Sequence, residues 1–369
     1  MPEYKQYELA QVCTRLSSGK GIPASQVLSN GKYPVYGGNG LRGFTDHSNF
    51  KGDCAIIGRQ GAFCGNVRYF CGEAYMTEHA VVVCANDENN TRYLSYLLSQ
   101  MNLGRLSGQS AQPGLSVKTL AKQIVELPSL EVQNRAVAVL SSLDSKIELN
   151  EKINDNLEQQ AQALFVAWFV NFIPFGGTAP DDWQYVRFAN FLTPRTEKSN
   201  DPSLPMFSVT DTGIYPRDEK FKKNLSMSNT KNKVIYNTDL VFGMSREILN
   251  WGIMRYAIGG VSSAYNVFSV SDTINSFYLE SYIKHNGSYF RDLIKPASRE
   301  GQGIDKNVLM QKQILLPPFD VLQSYYSIEN ALTRKVAYNQ AENARLAELR
   351  DTLLPRLMTG EIDVSDIDA

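Results

Sequence analysis

The amino-acid sequence predicts an α+β protein: two globular α/β blocks separated by two long helices that pack as an antiparallel coiled coil, with a pseudo-twofold internal repeat. Three observations predict it. Stretches of sequence recur about 190 residues apart, short apolar runs punctuated by glycine and asparagine fill the blocks, and two seams of apolar residues run at alternating spacings of three and four.

The repeat divides the chain. Lys122, Gln123, Ile124 and Val125 recur as Lys312, Gln313, Ile314 and Leu315, Pro128 as Pro318 and Gln133 as Gln323, all at an offset of 190. After a one-residue shift, Leu143, Lys146, Asn150, Asn154 and Leu164 recur as Leu332, Lys335, Asn339, Asn343 and Leu353. The starts agree more loosely, with Tyr4, Leu9 and Ala10 against Trp183, Phe188 and Ala189 at an offset of 179. The expected segments are a first block at 1–121, a helical region at 122–177, a second block at 178–310 and a second helical region at 311–369.

In the blocks, residues 53–57, 80–83, 234–236 and 266–270 predict strands. Turns are expected at Gly37, Gly38, Asn39 and Gly40 and at Gly259 and Gly260. Short helices are expected at 92–101 and 274–284. In the first long helix the seam runs Leu140, Leu143, Ile147, Asn150, Asn154, Leu157, Ala161, Leu164, Trp168; in the second, Leu332, Val336, Asn339, Asn343, Leu346, Arg350, Leu353, Leu357. Two asparagines thus sit at equivalent seam positions in each helix, where an amide facing leucine would lose its hydrogen bonds and so fixes the register. The few residues between the first helix and the second block are too short for a parallel pairing, so the pair is antiparallel. About 28 residues of seam, or ~42 Å at the helical rise, would hold the blocks about one turn of B-DNA apart.

The 369 residues, 43% hydrophobic and 20% charged, suit two or three globular domains. The longest apolar run, 163–172, falls short of the roughly 20 residues that cross a bilayer, and the first nine residues carry no signal-peptide core, so a soluble cytoplasmic protein is expected. The five cysteines show no paired ligand spacing and are expected as free thiols. The net charge of −1 conceals a pattern: residues 1–120 carry +3, 121–175 carry −3, 176–309 carry +2 and 310–369 carry −3.

Catalytic motifs are missing. Gly38, Gly40 and Gly43 satisfy G-x-G-x-x-G, but Phe44, Thr45 and Asp46 follow in place of a helix, so the glycines are a turn. The histidines His47, His79 and His285 are scattered, and no nucleophile elbow, phosphate loop or N/D-P-P-Y/F tetrapeptide of an amino-methyltransferase occurs. No catalytic residue, cofactor site or metal site is therefore expected. Each block instead offers side chains that suit base edges: Arg59, Gln60, Asn66 and Arg68 in the first, Ser245, Arg246, Asn250 and Arg255 in the second, with the later loop residues Gln109, Ser110, Arg299 and Gln302. Arginine bridges guanine O6 and N7, and asparagine or glutamine bridges adenine N6 and N7. Lys222 and Lys223, within a basic run that ends at Lys233, suit phosphate contact.

The arrangement closely resembles the specificity subunit of type I restriction-modification systems. The resemblance is carried by Leu127-Pro128 and Leu316-Pro317-Pro318 at the block ends, each followed by a glutamine and a long helix. It is carried also by the helix exit Leu164 to Phe169 with Pro174-Phe175, and by the tail Leu353-Leu354-Pro355-Arg356-Leu357-Met358-Thr359-Gly360-Glu361-Ile362. It implies a non-catalytic scaffold whose two target recognition domains each read half of a split sequence in double-stranded DNA. Two methyltransferase subunits would dock on it and a restriction subunit would join them. The assembly would methylate DNA adenine and cut DNA at the expense of ATP, with no membrane involved. A coiled-coil adaptor without a DNA role and an enzyme with an unrecognised site are the rival classes.

Overall fold

The computed structural model describes residues 3–107, 114–199, 201, 203–217, 232–245, 247–294 and 303–364. The chain forms two compact units, one of residues 1–151 with 340–369 and one of residues 152–339.

Unit 1 opens with β1 (Lys5–Glu8), β2 (Cys13–Ser18), β3 (Tyr33–Gly37), β4 (Gly40–Thr45), β5 (Phe50–Gly58), β6 (Val67–Met76) and β7 (Ala80–Ala85). Helices α1 (Thr91–Gln100) and α2 (Val117–Ala121), strand β8 (Ile124–Leu127) and helix α3 (Leu130–Phe169) follow. Strands β2 to β7 make one sheet in the order β2-β7-β5-β6-β3-β4, antiparallel except where β3 runs parallel to β6. Alternation along its central strands fills both faces. Ala55 and Ile57 of β5 and Val81 and Val83 of β7 point into a core shared with Tyr93, Leu94 and Leu98 of α1, while Cys54, Ile56, Ala80 and Val82 build a second core with Phe50 and Met76. Asn90 caps α1 by accepting from the backbone N–H groups of Arg92 and Tyr93.

Unit 2 contains β9 (Gln184–Arg187), β10 (Leu192–Arg195), β11 (Phe207–Thr210), β12 (Gly213–Pro216), β13 (Lys233–Tyr236), β14 (Leu240–Phe242), β15 (Trp251–Ile253), β16 (Ile258–Val261) and β17 (Asn266–Val270). Helices α4 (Ser276–His285) and α5 (Lys306–Gln311), strand β18 (Gln313–Leu316) and helix α6 (Phe319–Met358) complete the order. Its largest sheet runs β10-β17-β14-β15, with separate pairs β11-β12, β13-β16 and β9-β18. Aromatic side chains dominate the core: Phe165 and Phe169 of α3 pack on Tyr278 of α4, and Phe169 meets Tyr325 of α6 at 4.9 Å. Asn275 caps α4 as Asn90 caps α1.

The long helices run antiparallel inside each unit. In unit 1 Asn150 faces Asn343 and Arg350 reaches Asp144; in unit 2 Asn154 faces Asn339. Asp144 also accepts from Tyr96 and Arg92, tying α1 to the helix pair. The tail after α6 closes on the chain start: Leu354, Leu357, Met358 and Val364 join the unit 1 core, and the Tyr4 hydroxyl donates to the Leu357 carbonyl.

Two sequence expectations are corrected. Gly259 and Gly260 lie within β16, paired with Ile235 and Val234, and do not form a turn. A Cβ at Gly259 would stand 2.3 Å from the Phe207 ring and one at Gly260 2.7 Å from the Met206 sulfur, so both glycines serve close packing over a strand. The repeat offset at the block ends is 189, not 190. Lys5 pairs with Leu127 and Gln184 with Leu316, which aligns buried Val125 with buried Ile314, whereas an offset of 190 would match exposed Ile124 to that buried position. At the helix starts the same frame sets Gln133 against Leu322, both buried, and leaves Gln323 exposed. Gln133 donates to Asn89 and to the Pro128 carbonyl and accepts from the Asn90 backbone, so it anchors the start of α1, a task Gln323 does not share.

Candidate nucleic-acid interface

The glycine-rich turn between β3 and β4 and the loop between β5 and β6 come together at one edge of unit 1. Gly37 pairs with Gly40 at the tip, and Gly40 takes a φ of 97°, a conformation glycine adopts without strain. The loop is closed by Gly58, whose N–H donates to the Asn66 carbonyl and whose own carbonyl accepts from Gly65. A Cβ on Gly58 would stand 2.3 Å from the Phe63 carbonyl oxygen and 2.5 Å from that of Gly38, so loop and hairpin touch backbone to backbone at this glycine.

Three arginines surround the contact. Arg68 lies over Gly40, its Nη1 3.0 Å from where a Cβ would be, and the Arg42 stem crosses Gly37 in the same way. The Arg59 backbone donates to the His79 carbonyl, its carbonyl accepts from Leu115, and its guanidinium reaches the Ser18 hydroxyl at 3.5 Å. None of Arg42, Arg59 and Arg68 has a carboxylate within ion-pair distance among the described residues. Arg92, Arg135, Arg195, Arg255, Arg350 and Arg356 do have one, whereas Arg15, Arg105, Arg187, Arg217, Arg291, Arg334 and Arg345, like the trio, have none among the described residues. The field is felt by Tyr36: burial pushes its phenol pKa up and the positive charge of Arg68 pulls it back. Arg42, Gln60, Asn66 and Arg68 are exposed and Arg59 is half-buried, so the cluster faces water as a concentration of uncompensated positive charge.

Of the first block's sequence candidates, Arg59, Gln60, Asn66 and Arg68 thus fall at one place. The sequence reading passed over Arg42, which sits inside a motif read only as a turn; an arginine two residues after a tight glycine turn was the available signal.

The second block's candidates are engaged internally. Ser245 is buried, accepts from the Asn250 backbone and donates to the Gly243 carbonyl, while the Asn250 amide donates to the Met244 carbonyl. Arg255 pairs with Glu280 and lies 4.0 Å from the Phe277 ring centre. Lys233, the end of the basic run, donates to the Tyr265 carbonyl, and burial lowers its pKa. Gln109, Ser110, Lys222, Lys223, Arg246, Arg299 and Gln302 lie outside the described residues.

Among the described residues, no cluster of three or more histidine, cysteine or acidic side chains could hold a metal, and no helix is long and apolar enough to cross a membrane. All five cysteines are free thiols, and burial pushes those of Cys13 and Cys54 up to about 12.

Residues 1–159 match the family described as the type I restriction modification DNA specificity domain. Over 135 residues the chain is 38% identical to the type I restriction enzyme EcoprrI specificity subunit of Escherichia coli, a match covering 36% of this chain and 34% of that one. It is 27% identical over 310 residues to the MjaIX specificity subunit of Methanocaldococcus jannaschii, covering 75% of this chain and 70% of the relative. The stronger match therefore spans about a third of its relative's length. In fold, the chain is similar to the crystal structure of a type I restriction-modification S subunit from M. genitalium, with a TM-score of 0.62, 15% identity and 96% of each chain covered. The tip that carries Arg42, Arg59 and Arg68 lies wholly within residues 1–159, the part of the chain that matches the type I restriction modification DNA specificity domain.

Proposed function

We propose that this chain reads a bipartite sequence in double-stranded DNA for a type I restriction-modification assembly in the cytoplasm, and that it is itself non-catalytic. The observation that carries the reading is the trio Arg42, Arg59 and Arg68 in the segment that matches the DNA specificity domain: Arg68 packs over Gly40, the Arg42 stem packs over Gly37, Arg59 reaches Ser18, and none has a carboxylate partner among the described residues. An arginine presents a planar fork of donors that meets guanine O6 and N7 or a phosphate, and an exposed guanidinium without a carboxylate partner has those donors available. In this reading Arg59, Gln60, Asn66 and Arg68, joined by Arg42, contact the first half-site. Arg255, Ser245 and Asn250 shape the second block, whose base contacts fall to residues such as Arg246, Arg299 and Gln302. Lys222 and Lys223 contact phosphate.

The helix pair carries the two recognition blocks and, with the block ends, docks two methyltransferase subunits. A restriction subunit completes the nuclease. Methylation-sensitive sequencing of a host with and without this chain tests the proposal: a split motif, methylated in its presence and unmethylated in its absence, is expected. An unchanged methylation pattern overturns it.

A further inference from the structure

Leu41 sits in the hairpin between Gly40, over which Arg68 lies, and Arg42. It follows Gly40 at the hairpin tip and is 54% exposed, and Phe63 in the adjoining loop is 42% exposed. A single exposed leucine is ordinary; one followed by Arg42 and preceded by the glycine that Arg68 covers, neither arginine having a carboxylate partner among the described residues, is a surface of defined chemistry. It presents an apolar probe between cations. The tip is closely packed: Gly58 admits no side chain between the Gly38 and Phe63 carbonyls, and Gly40 sits directly beneath Arg68. The close packing holds the backbone that carries Leu41 and Arg42 against the loop that carries Arg59.

The major groove offers a complement to such a surface: guanine O6 and N7 accept from arginine, and the one apolar group on any base edge there is the thymine 5-methyl. Resting on the DNA reading above, we infer that Leu41 recognises the 5-methyl group of a thymine in the half-site contacted by unit 1, beside the bases met by the arginines. Covering one methyl group gives a preference of about three- to fivefold.

Enrichment of bound duplexes from random-sequence libraries, made once with thymine and once with deoxyuridine, tests this with the full chain bound to a type I methyltransferase subunit. The wild type on thymine libraries is expected to yield a split motif with one thymine position that loses its preference on deoxyuridine libraries, where only the methyl is missing. Leu41→Ala is expected to lose the same preference on thymine libraries while the guanine positions persist, and those positions also report that the variant is folded. A thymine preference that survives either change overturns the inference, as does a first half-site without thymine. Loss of the guanine positions in Leu41→Ala overturns it too, because the leucine would then only support the arginines. Enrichment of no motif by the wild type would instead overturn the DNA reading itself.

Discussion

Asn339 donates its side-chain amide to the Asn154 carbonyl oxygen across 2.8 Å, both residues buried in unit 2. Asn150 makes the matching bond to Asn343 in unit 1, also at 2.8 Å. The offset of 189 carries Asn150 to Asn339 and Asn154 to Asn343, so equivalent residues donate and equivalent residues accept. The pseudo-twofold repeat thus extends to the direction of single hydrogen bonds. The layers differ around that bond: Asn150 also donates to Glu342, whose counterpart in the other half is Ile153, and Asn343 also donates to the Ile147 carbonyl.

Replacing Asn154 by leucine leaves the buried Asn339 amide without its acceptor and should cost about 1–3 kcal/mol by chemical denaturation. The double change Asn154→Leu with Asn339→Leu should recover most of that loss, since two apolar groups then meet. Additive losses in this cycle would show that the bond contributes nothing to the pairing.

Glu329 gives a prediction in pH. It occupies the position equivalent to fully buried Leu140, and burial raises its carboxyl to about 7, with the Thr333 hydroxyl, Arg255 and Lys284 pulling the other way and Glu280 adding to the rise. Its Oε2 is buried without a hydrogen-bond partner. The folded form keeps a proton that the unfolded chain releases near 4.5, so stability falls as pH rises between about 4.5 and 7, and the full penalty applies above that. Glu329→Gln should be neutral at pH 5 and stabilising at pH 8 by roughly 2–3 kcal/mol. Thermal denaturation at the two pH values checks this, and an equal gain at both would show that the carboxyl charge is not the cause.

Much of the fold was legible because it depends on local periodicity. The seam spacing marked out α3 and α6, and runs such as 80–83 and 266–270 marked strands because they are rich in β-branched and aromatic residues. The sequence misled where one letter serves two purposes. Glycine at 259 and 260 looked like a turn, yet its use is the approach of Phe207 and Met206, residues some fifty positions away. The matching Lys-Gln-Ile letters at 122 and 312 suggested an offset that strand alternation rejects. The candidate site was half legible: residue type picked out Arg59 and Arg68. Their lack of acid partners, the engagement of Arg255 by Glu280, and the placement of Arg42 and Leu41 depend on contacts that no linear pattern records.

That contrast separates two arginines that look alike in sequence. Arg68→Ala removes an exposed guanidinium that has no carboxylate partner among the described residues, so thermal stability should be unchanged while preference at one base pair relaxes at a cost of about 1–3 kcal/mol in target binding. Arg255→Ala leaves Glu280 without one of its two cations, the other being Lys284, so thermal stability should fall while the enriched motif keeps every base preference. A relaxed motif in the Arg255 variant, or an unaltered one in the Arg68 variant, would exchange their roles.

The last prediction concerns the gap between the half-sites. Both long helices pass from one unit to the other between the asparagine layers, α3 between Glu151 and Lys152 and α6 between Asn339 and Gln340. Four residues inserted after Lys152 and four after Gln340 face each other in the antiparallel register that Asn150 with Asn343 and Asn154 with Asn339 define, so both layers survive. Four residues are about 1.1 turns, which keeps the seam nearly in phase and lengthens each helix by ~6 Å. At ~3.4 Å per base pair, the unspecified gap of the recognised sequence should grow by one or two base pairs while both half-sequences stay the same. Inserting in α3 alone should instead disrupt one asparagine layer and lower stability, because the partner helix cannot follow. If the paired insertion changes the bases read and leaves the gap alone, the helices do not set the spacing, and recognition depends on contacts beyond the two blocks.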